Sequence, residues 1–469
     1  MSKDKRPGAS AKTLAVDVRR TNETWQSRRA AGKAMRESVS RESHADFKIP
    51  KDRPDPVDTV IAANVGRQEH LVPLRMARMA ASPFAFLRGA AAVMAWDLSR
   101  TPVSGIHVAM DGDAHLDNFG LFGTPQRSIV FDLNDFDETT TGPWEWDLKR
   151  LAASVNVAAR GNGFNRRERS TAVMSCVANY RGFMQRLEKM GVLDIWALHA
   201  HPGQESPLLR MDSQSKAMVR RAVEKAGLET NNSLLPKVAT QKKSGKWKFK
   251  LSPPETTEIP AATRDAVIDG INGYAESLHP EMRYLLGRYH VMEVVHRVVG
   301  VGSVGTRAYL AMLFGNGDHD PLFLQVKEAW PSATASFVPP LTPDLAHEGK
   351  RVVTGQRALQ SQSDPLLGWT SVSGRPFYVR QMKNMKGEIP VEKLVRTPFN
   401  FYAGACGAVL ARAHARTSDA GAIAGYCGKT NVLDRAIAKW AEAYGDRNEA
   451  DHAALLAAIK TKRVSANLK

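Results

Sequence analysis

One stretch of the chain, residues 110–148, combines many acidic side chains with apolar runs, and it constrains the fold more than any other part. Seven acidic residues lie between Asp111 and Glu138. The apolar runs at 108–110 and 129–133 are rich in strand-forming side chains, which predicts a strand, a loop and a second strand. Acids placed among apolar residues in this way are rarely part of an ordinary solvated face. We therefore expect the stretch to form a functional site.

Three side chains in this stretch have the oxygen atoms that a magnesium site needs. Asp113 and Asn118 lie five residues apart on the predicted loop, and Asp135 lies at the end of the second predicted strand. Carboxylate and amide oxygens on adjacent strand ends are ligands that suit Mg²⁺. The pattern therefore predicts a magnesium site, with a nearby carboxylate that positions an attacking hydroxyl group.

The same residues resemble motifs of known enzymes. GDAHLDN at 112–118 is similar to the catalytic loop of the aminoglycoside phosphotransferase and choline kinase group of kinase-like enzymes. NDFDE at 134–138 is similar to that group's metal-binding segment, and DL at 147–148 to its later structural Asp-Leu. From about residue 75 to the C-terminus, the chain also closely resembles an uncharacterised bacterial family catalogued as domain of unknown function 2252. The kinase-like resemblance implies that Asp113 orients or deprotonates the acceptor of a phosphoryl group.

The resemblance also implies roles for the neighbouring residues. Asn118 and Asp135 would hold Mg²⁺. His115 would mainly support the shape of the loop, although it could also hydrogen-bond the catalytic aspartate or a metal-bound phosphate. Asp137 and Glu138 are either indirect supports of the metal site or ordinary loop acids, and the sequence leaves both interpretations open.

A helix is predicted to begin after Gly142-Pro143, because apolar residues recur there with helical spacing as far as Gly161. Asp147 would lie in the first turn of this helix, where the helix dipole favours a carboxylate. We therefore expect Asp147 to act as a cap or an internal hydrogen-bond anchor rather than as a catalytic group.

A second candidate region begins near residue 292, where β-branched residues precede Gly300, Gly302 and Gly305. The pattern G-x-G-x-x-G alone is weak, because a dinucleotide-binding fold requires it to open a helix. Here residues 306–310 have the character of a strand, so we expect the glycines in a β-hairpin. The backbone N–H groups of such a hairpin can lie over nucleotide phosphates.

Lys327 falls on the next predicted strand, where a kinase-like lysine would pair with the α- and β-phosphates of ATP. Glu328 also fits the spacing of a dinucleotide-binding acid, so that alternative stays open, although the kinase-like interpretation is favoured. Two residues of the helix predicted at 342–360 could hold Lys327 in place. Glu348 lies near the start of this helix, and Gln356 lies two turns later.

The order of these parts differs from that of ordinary kinases, because Asp113 lies far upstream of Gly305. The segment 407–417 also resembles the helix that normally leads into the catalytic loop. A circular permutation accounts for both observations. We therefore predict an α+β, two-lobed, protein-kinase-like fold, circularly permuted, with a large helical lobe and a smaller antiparallel-sheet lobe.

The permutation makes two structural predictions. The helix at 399–417 should pack in the same lobe as the catalytic loop, with the following residues buried: Ala403, Cys406, Leu410 and Ala413. The strands within 292–327 and 374–382 should form one antiparallel sheet, from which Lys327 points towards Asp113, Asn118 and Asp135.

Four parts of the chain are expected. These are a basic, partly disordered N-terminal arm (1–55), a helical lobe with the catalytic and metal loops (56–285), a nucleotide-binding sheet lobe (286–390), and helices that return to the helical lobe (391–469). Part of 20–44 could be a charged helix.

The formal net charge of +17 favours partners that carry phosphate groups, without choosing among nucleotides, nucleic acid and anionic lipid. Nucleic acid is not favoured, because the charges of the arm are interspersed with acids and no aromatic ladder accompanies them. Three widely spaced cysteines fit a reducing cytoplasm, and no apolar run approaches the length that spans a bilayer.

The predicted function is therefore ATP- and Mg²⁺-dependent transfer of a phosphoryl group to a hydroxyl of a small molecule or protein. Lys327 and the glycines at 300–305 would hold the triphosphate. Two alternatives remain open. One is nucleotidyl (AMP) transfer at the same site, and the other is a pseudoenzyme that binds nucleotide or nucleic acid. The sequence does not indicate the acceptor.

Overall fold

Helices make up most of the described chain, together with one large sheet and several short hairpins. The computed structural model describes residues 23–202, 211–298, 300, 302–382 and 384–467. The helices are α1 Trp25–Ala34, α2 Pro56–Ala62, α3 Val72–Ala80, α4 Pro83–Gly89, α5 Ala91–Leu98, α6 Trp144–Gly161, α7 Arg166–Leu187, α8 Val192–Ala197, α9 Ser213–Leu228, α10 Asn231–Val238, α11 Ala261–Tyr274, α12 Pro280–Leu286, α13 Glu348–Leu359, α14 Arg396–Thr417, α15 Ala420–Cys427 and α16 Val432–Lys460.

The strands are β1 His107–Met110, β2 Phe119–Gly123, β3 Ile129–Leu133, β4 Thr140–Pro143, β5 Ala239–Gln241, β6 Trp247–Phe249, β7 Thr256–Thr257, β8 His290–Arg297, β9 Ala308–Phe314, β10 Pro321–Glu328, β11 Gly368–Val372 and β12 Arg375–Gln381. The predicted α+β class is confirmed. None of the helices in the described ranges combines the length and the apolar composition that crossing a membrane would require.

The six-stranded sheet has the strand order β11-β12-β10-β9-β8-β7, and the pairs along it are antiparallel. The prediction that the strands within 292–327 and 374–382 share one antiparallel sheet is therefore confirmed. In the register of this sheet Lys327 lies opposite Tyr378, and Gln325 lies opposite Arg380. These four side chains occupy one face of the sheet, because directly paired residues of neighbouring strands point to the same side.

The other face of the sheet is covered by helices that the sequence assigned elsewhere. Val267, Ile271 and Tyr274 of α11, together with Leu286 of α12, form an apolar core with buried side chains of the sheet. Both helices were expected in the helical lobe at 56–285. They pack against the sheet instead, because their apolar side chains and those of the strands are buried in one shared core.

The stretch around the acidic residues contains two hairpin-like pairs rather than one strand, one loop and a second strand. β1 pairs with β4, and β2 pairs with β3. β2 was not predicted, because two of its five residues are glycines and its strand pattern is weak. Phe119 of β2 stacks on Phe131 of β3 with ring centroids 6.5 Å apart, so aromatic packing compensates for the glycines.

The largest apolar core lies among α6, α7, α14, α15 and α16, and it extends to the β1–β4 and β2–β3 pairs. The following residues of α14 are fully buried there, as predicted: Ala403, Cys406, Leu410 and Ala413. α14 approaches α7 very closely, since a Cβ atom added to Gly407 would lie 2.1 Å from the carbonyl oxygen of Cys176. Gly407 therefore sets how closely α14 and α7 approach each other.

Part of the predicted N-terminal arm is folded onto this core. The charged helix that the sequence allowed within 20–44 is present as α1, which packs against α15. Arg36 donates a hydrogen bond to the carbonyl oxygen of Tyr426 (2.9 Å), and Arg29 forms an ion pair with the buried carboxylate of Glu188. Residues 23–55 thus contact the helical part of the molecule, and the remaining residues of the arm, 1–22, lie outside the described residues.

Candidate functional site

A cavity of about 430 Å³ lies where four segments of the chain meet. One wall comes from the acidic stretch, the second from the glycine segment before β9, and the third from α2 to α5 and the residues between them. The fourth comes from the end of β10 and the residues that follow it, within 328–333. Among the predicted site residues, the structure brings the following together as lining of this cavity: Asp113, His115, Asn118, Asp135, Gly300 and Gly302. Residues distant in sequence therefore share one concave site.

The loop that carries Asp113 is held by its backbone. Asp147, at the start of α6, accepts hydrogen bonds from the N–H groups of Asp111 (2.7 Å) and Gly112 (2.9 Å). His414 of α14 lies 3.2 Å from the same carboxylate. Gly112 has a φ of +79°, and a Cβ atom there would lie 2.2 Å from the carbonyl oxygen of Glu138. The predicted role of Asp147 as an internal hydrogen-bond anchor is confirmed.

The Asp113 carboxylate is paired with a buried arginine that the sequence analysis did not identify. Arg150 of α6 contacts Asp113 Oδ1 and also donates to the carbonyl oxygen of Leu87 (3.0 Å). The amide of Asn118 donates to the backbone oxygen of Asp113 (2.8 Å), which fixes the loop from its other side. Burial raises the pKa of Asp113 to about 7, although the charge of Arg150 opposes the shift.

His115 is buried beside the same carboxylate. Its Nε2 atom lies 3.5 Å from Asp113 Oδ2, and its ring meets that of Phe84 edge-on at 6.5 Å between centroids. Burial, together with the charges of Arg88 and Arg150, lowers the pKa of His115 well below its ordinary value. The imidazole is therefore neutral at pH 7, which suits a hydrogen-bonding support of the loop rather than a cation.

Asn118 and Asp135 offer oxygen atoms to the cavity from adjacent loops, which are joined by a hydrogen bond from Asn134 N to Asn118 O (2.9 Å). Asp135 Oδ1 is buried and has no hydrogen-bond partner in the described part of the chain. Burial raises the pKa of Asp135, but the charges of Lys327 and other cations outweigh burial and lower it overall, so the group is a carboxylate.

These two residues fit a magnesium ion that takes most of its ligands from water and phosphate, since Mg²⁺ is often bound by one or two protein carboxylates plus substrate oxygens. Among the described residues, no group of three or more His, Cys, Asp or Glu side chains is arranged to hold a metal.

Lys327 projects from β10 towards the acidic stretch. Its ammonium group lies 4.0 Å from Asp135 Oδ1 and forms a closer ion pair with Asp137. The two helix residues that were predicted to hold it have other partners. Glu348 pairs with Arg351, and Gln356 donates to Gln360 (2.9 Å).

Asp137 is thus a contact of Lys327 that sequence reasoning missed. The D-x-D spacing in NDFDE places Asp137 close to Asp135 in sequence, but it does not identify Lys327 as the partner.

The glycine segment lies in a hairpin between β8 and β9, as predicted. A strand follows it, so it does not open a helix as the dinucleotide-binding alternative requires. Glu328, the acid that fitted that alternative, is engaged within the sheet. It accepts a hydrogen bond from Arg307 N (3.1 Å) and pairs with the side chains of Arg307 and Arg375. The dinucleotide interpretation is therefore wrong.

The glycine segment is also held by residues that sequence reasoning did not select. Gln68 N donates to the carbonyl oxygen of Gly305 (2.7 Å), and Arg67 Nη1 donates to that of Val304 (2.7 Å). Arg78 of α3 donates to the carbonyl oxygen of Gly300 (2.9 Å). These hydrogen bonds join the wall formed by α2 to α5 to the glycine segment. In each of them the acceptor is a backbone carbonyl oxygen of the glycine segment.

Comparison with known proteins identifies one family. The model of the family DUF2252, described as an uncharacterized protein conserved in bacteria, matches residues 67–458. The match includes every residue of the cavity from Arg67 onwards. No curated protein matches the chain, and no solved structure matches it.

Proposed function

The chain belongs to the DUF2252 family, and we propose that it is an ATP- and Mg²⁺-dependent phosphotransferase that acts on a hydroxyl group of a small molecule or protein. The proposal rests on one observation. The cavity that carries Asp113, Asn118 and Asp135 is also lined by the glycine segment, and Lys327 lies 4.0 Å from Asp135. A nucleotide triphosphate that touches both walls would meet the groups that phosphoryl transfer uses.

Asp113 would receive the acceptor hydroxyl. A carboxylate whose pKa is raised to about 7 is close to the value at which a general base is most effective at neutral pH. Arg150 and the amide of Asn118 hold the carboxylate and its backbone in a fixed position. His115, neutral and buried beside it, supports that geometry. Rate enhancement would come mostly from holding the reacting groups in place.

The opposite side of the cavity would receive the nucleotide. Lys327 would pair with phosphate oxygens, and the glycine segment from Gly300 to Gly305 would lie over them. Asn118 and Asp135 would hold Mg²⁺, which neutralises charge on the phosphates when it is bound. Glu348 would contribute through Arg351 rather than by direct contact with the lysine.

We also interpret the fold as kinase-like, two-lobed and circularly permuted. This interpretation is supported by the packing of α14 on the catalytic loop, which lies far upstream in sequence. The hydroxyl of Tyr402 in α14 lies 2.9 Å from the carbonyl oxygen of Leu116 and 3.0 Å from that of Phe119. In an unpermuted chain this helix would lead directly into the loop that it contacts here.

The experiment is a thermal unfolding series with Mg·ATP, followed by a labelling assay. At a hundredfold excess over its dissociation constant, a ligand stabilises the folded state by about 2.7 kcal/mol. Asp135→Ala should abolish the dependence of this stabilisation on Mg²⁺. Asp265→Ala, which removes an exposed acid on α11 paired only locally with Arg264, should leave it intact.

Wild-type protein and a metabolite extract should then transfer label from ATP labelled at the γ-phosphate. Transfer from ATP labelled at the α-phosphate instead would indicate nucleotidyl transfer. Binding without either transfer would indicate a pseudoenzyme. A melting temperature that does not respond to ATP, with and without Mg²⁺, would refute the nucleotide site altogether.

A further inference from the structure

The two aspartates of the metal segment have different surroundings, although they are two residues apart. Both carboxylate oxygens of Asp137 are engaged. Oδ1 accepts a hydrogen bond from the hydroxyl of Tyr378 (2.7 Å), and Oδ2 pairs with the ammonium group of Lys327. Asp135 differs, because its Oδ1 atom is buried, has no hydrogen-bond partner in the described ranges and makes only a longer ionic contact with Lys327, at 4.0 Å. The two acids therefore have separate tasks.

We propose that Asp137 is the positioning residue of Lys327 and that Asp135, which lies farther from the ammonium group, keeps its hydrogen-bonding capacity for the cation. Asp137 holds the ammonium group on the cavity side of β10. The consequence for phosphate binding rests on the proposed function, whereas the pairing of Asp137 with Lys327 does not. The inference replaces the helix residues Glu348 and Gln356, which the sequence suggested for this task.

Asp137 is itself fixed from two sides. Tyr378 lies directly opposite Lys327 across the β10–β12 pair, so the donor and the lysine reach the same carboxylate from neighbouring strands. Arg351 of α13 donates to the backbone oxygen of Asp137 (2.8 Å) and to that of Trp330 (2.6 Å). Helix α13 thus orients the lysine indirectly, through the loop that carries Asp137.

The degree of burial makes this arrangement energetically important. Lys327 is 3% exposed and Tyr378 is 1% exposed. Without Asp137 the buried ammonium group would keep only the more distant carboxylate of Asp135, at 4.0 Å, and the loss of the closer partner of a buried pair is strongly destabilising. A long lysine side chain would also take other rotamers without a closely bound partner. Asp137 therefore contributes to the charge balance of Lys327 and fixes the position of its ammonium group.

The first experiment does not involve nucleotide. Melting temperatures are measured for Lys327→Met, Asp137→Asn and the double variant. The loss in the double variant should be clearly smaller than the sum of the two single losses, because each substitution removes the same pair. The matched control combines Lys327→Met with Asp265→Asn, a change at an exposed acid of α11 that pairs with Arg264, for which the losses should add. Additive losses with Asp137→Asn, or equal coupling with Asp265→Asn, would overturn the pairing.

The second experiment tests positioning. Asp137→Asn and Tyr378→Phe should each raise the dissociation constant for Mg·ATP. The increase should be about tenfold, because a displaced Lys327 loses a charged contact with phosphate. A purely structural role would lower the melting temperature and leave this constant unchanged, which would refute positioning. Glu348→Gln should have a smaller effect than Asp137→Asn.

The two experiments separate this inference from the proposed function. If wild-type protein does not bind Mg·ATP, the proposed function fails, and the positioning of Lys327 for phosphate fails with it. The unfolding cycle still decides whether Asp137 is the partner of Lys327. Should Asp137→Asn not fold, Tyr378→Phe retains the ion pair and supplies the binding measurement. When Tyr378→Phe is combined with Lys327→Met, the loss of stability in the double variant should again be smaller than the sum of the two single losses.

Discussion

Asp147→Asn tests how the candidate catalytic loop is held. The Asp147 carboxylate is 1% exposed and accepts backbone hydrogen bonds from Asp111 and Gly112. Asparagine keeps one acceptor oxygen and turns an NH₂ group towards the second N–H donor. One hydrogen bond to a charged group, worth about 1.5–3 kcal/mol, is lost and a repulsive contact is added. We expect the free energy of unfolding to fall by about 3 kcal/mol.

The effect on the melting temperature is small because the chain is long. At about 2.1 cal/mol/K per residue, the unfolding entropy of 469 residues is about 1 kcal/mol/K, so the melting temperature should fall by about 3 °C. The informative assay is therefore local. Hydrogen–deuterium exchange of peptides that cover 108–118 should become faster in the variant, because these amides lose their acceptor.

Asp434→Asn is the matched control for this prediction. Asp434 of α16 is also 1% exposed, and it accepts two hydrogen bonds from Arg181, at 2.9 Å and 2.7 Å, away from the loop. This variant should lose stability without faster exchange at 108–118. Unchanged exchange in Asp147→Asn, or equally fast exchange in both variants, would refute the anchoring role.

Two further predictions concern pH dependence and helix packing. The rate of phosphoryl transfer should rise as the pH increases through about 7, because burial raises the pKa of Asp113 to about 7 and only the ionised carboxylate accepts a proton. An initial-rate profile that is flat across neutral pH would contradict this. Gly407→Ala should lower the free energy of unfolding in urea by about 3 kcal/mol, because its Cβ atom would overlap Cys176 O. Gly161→Ala, whose Cβ atom would meet no described atom within 4 Å, should cause no such loss.

Local features of the chain were predictable from residue patterns. The β-branched residues before the glycines and the strand-like residues after them indicated a hairpin, and apolar residues at helical spacing indicated that α14 is buried. The spacing in 112–118 and 134–138 selected Asp113, Asn118 and Asp135, which line one cavity in the structure. The hairpin and the buried helix were predictable because periodicity and turn chemistry depend on residues close together in sequence. β2 was missed because its two glycines lack the strand-forming side chains on which such a prediction depends.

The partners of these residues depended on the packing of distant segments. Arg150 pairs with Asp113, Gln68 holds the glycine turn, and Asp137 rather than Glu348 contacts Lys327. No spacing rule assigns such contacts, because a buried charge takes whichever opposite charge the surrounding elements place within reach. Composition and periodicity show which side chains are suited to a site. Which of these side chains contact each other depends on how the sheet, α6 and α13 are placed, because burial leaves each charge few alternative partners.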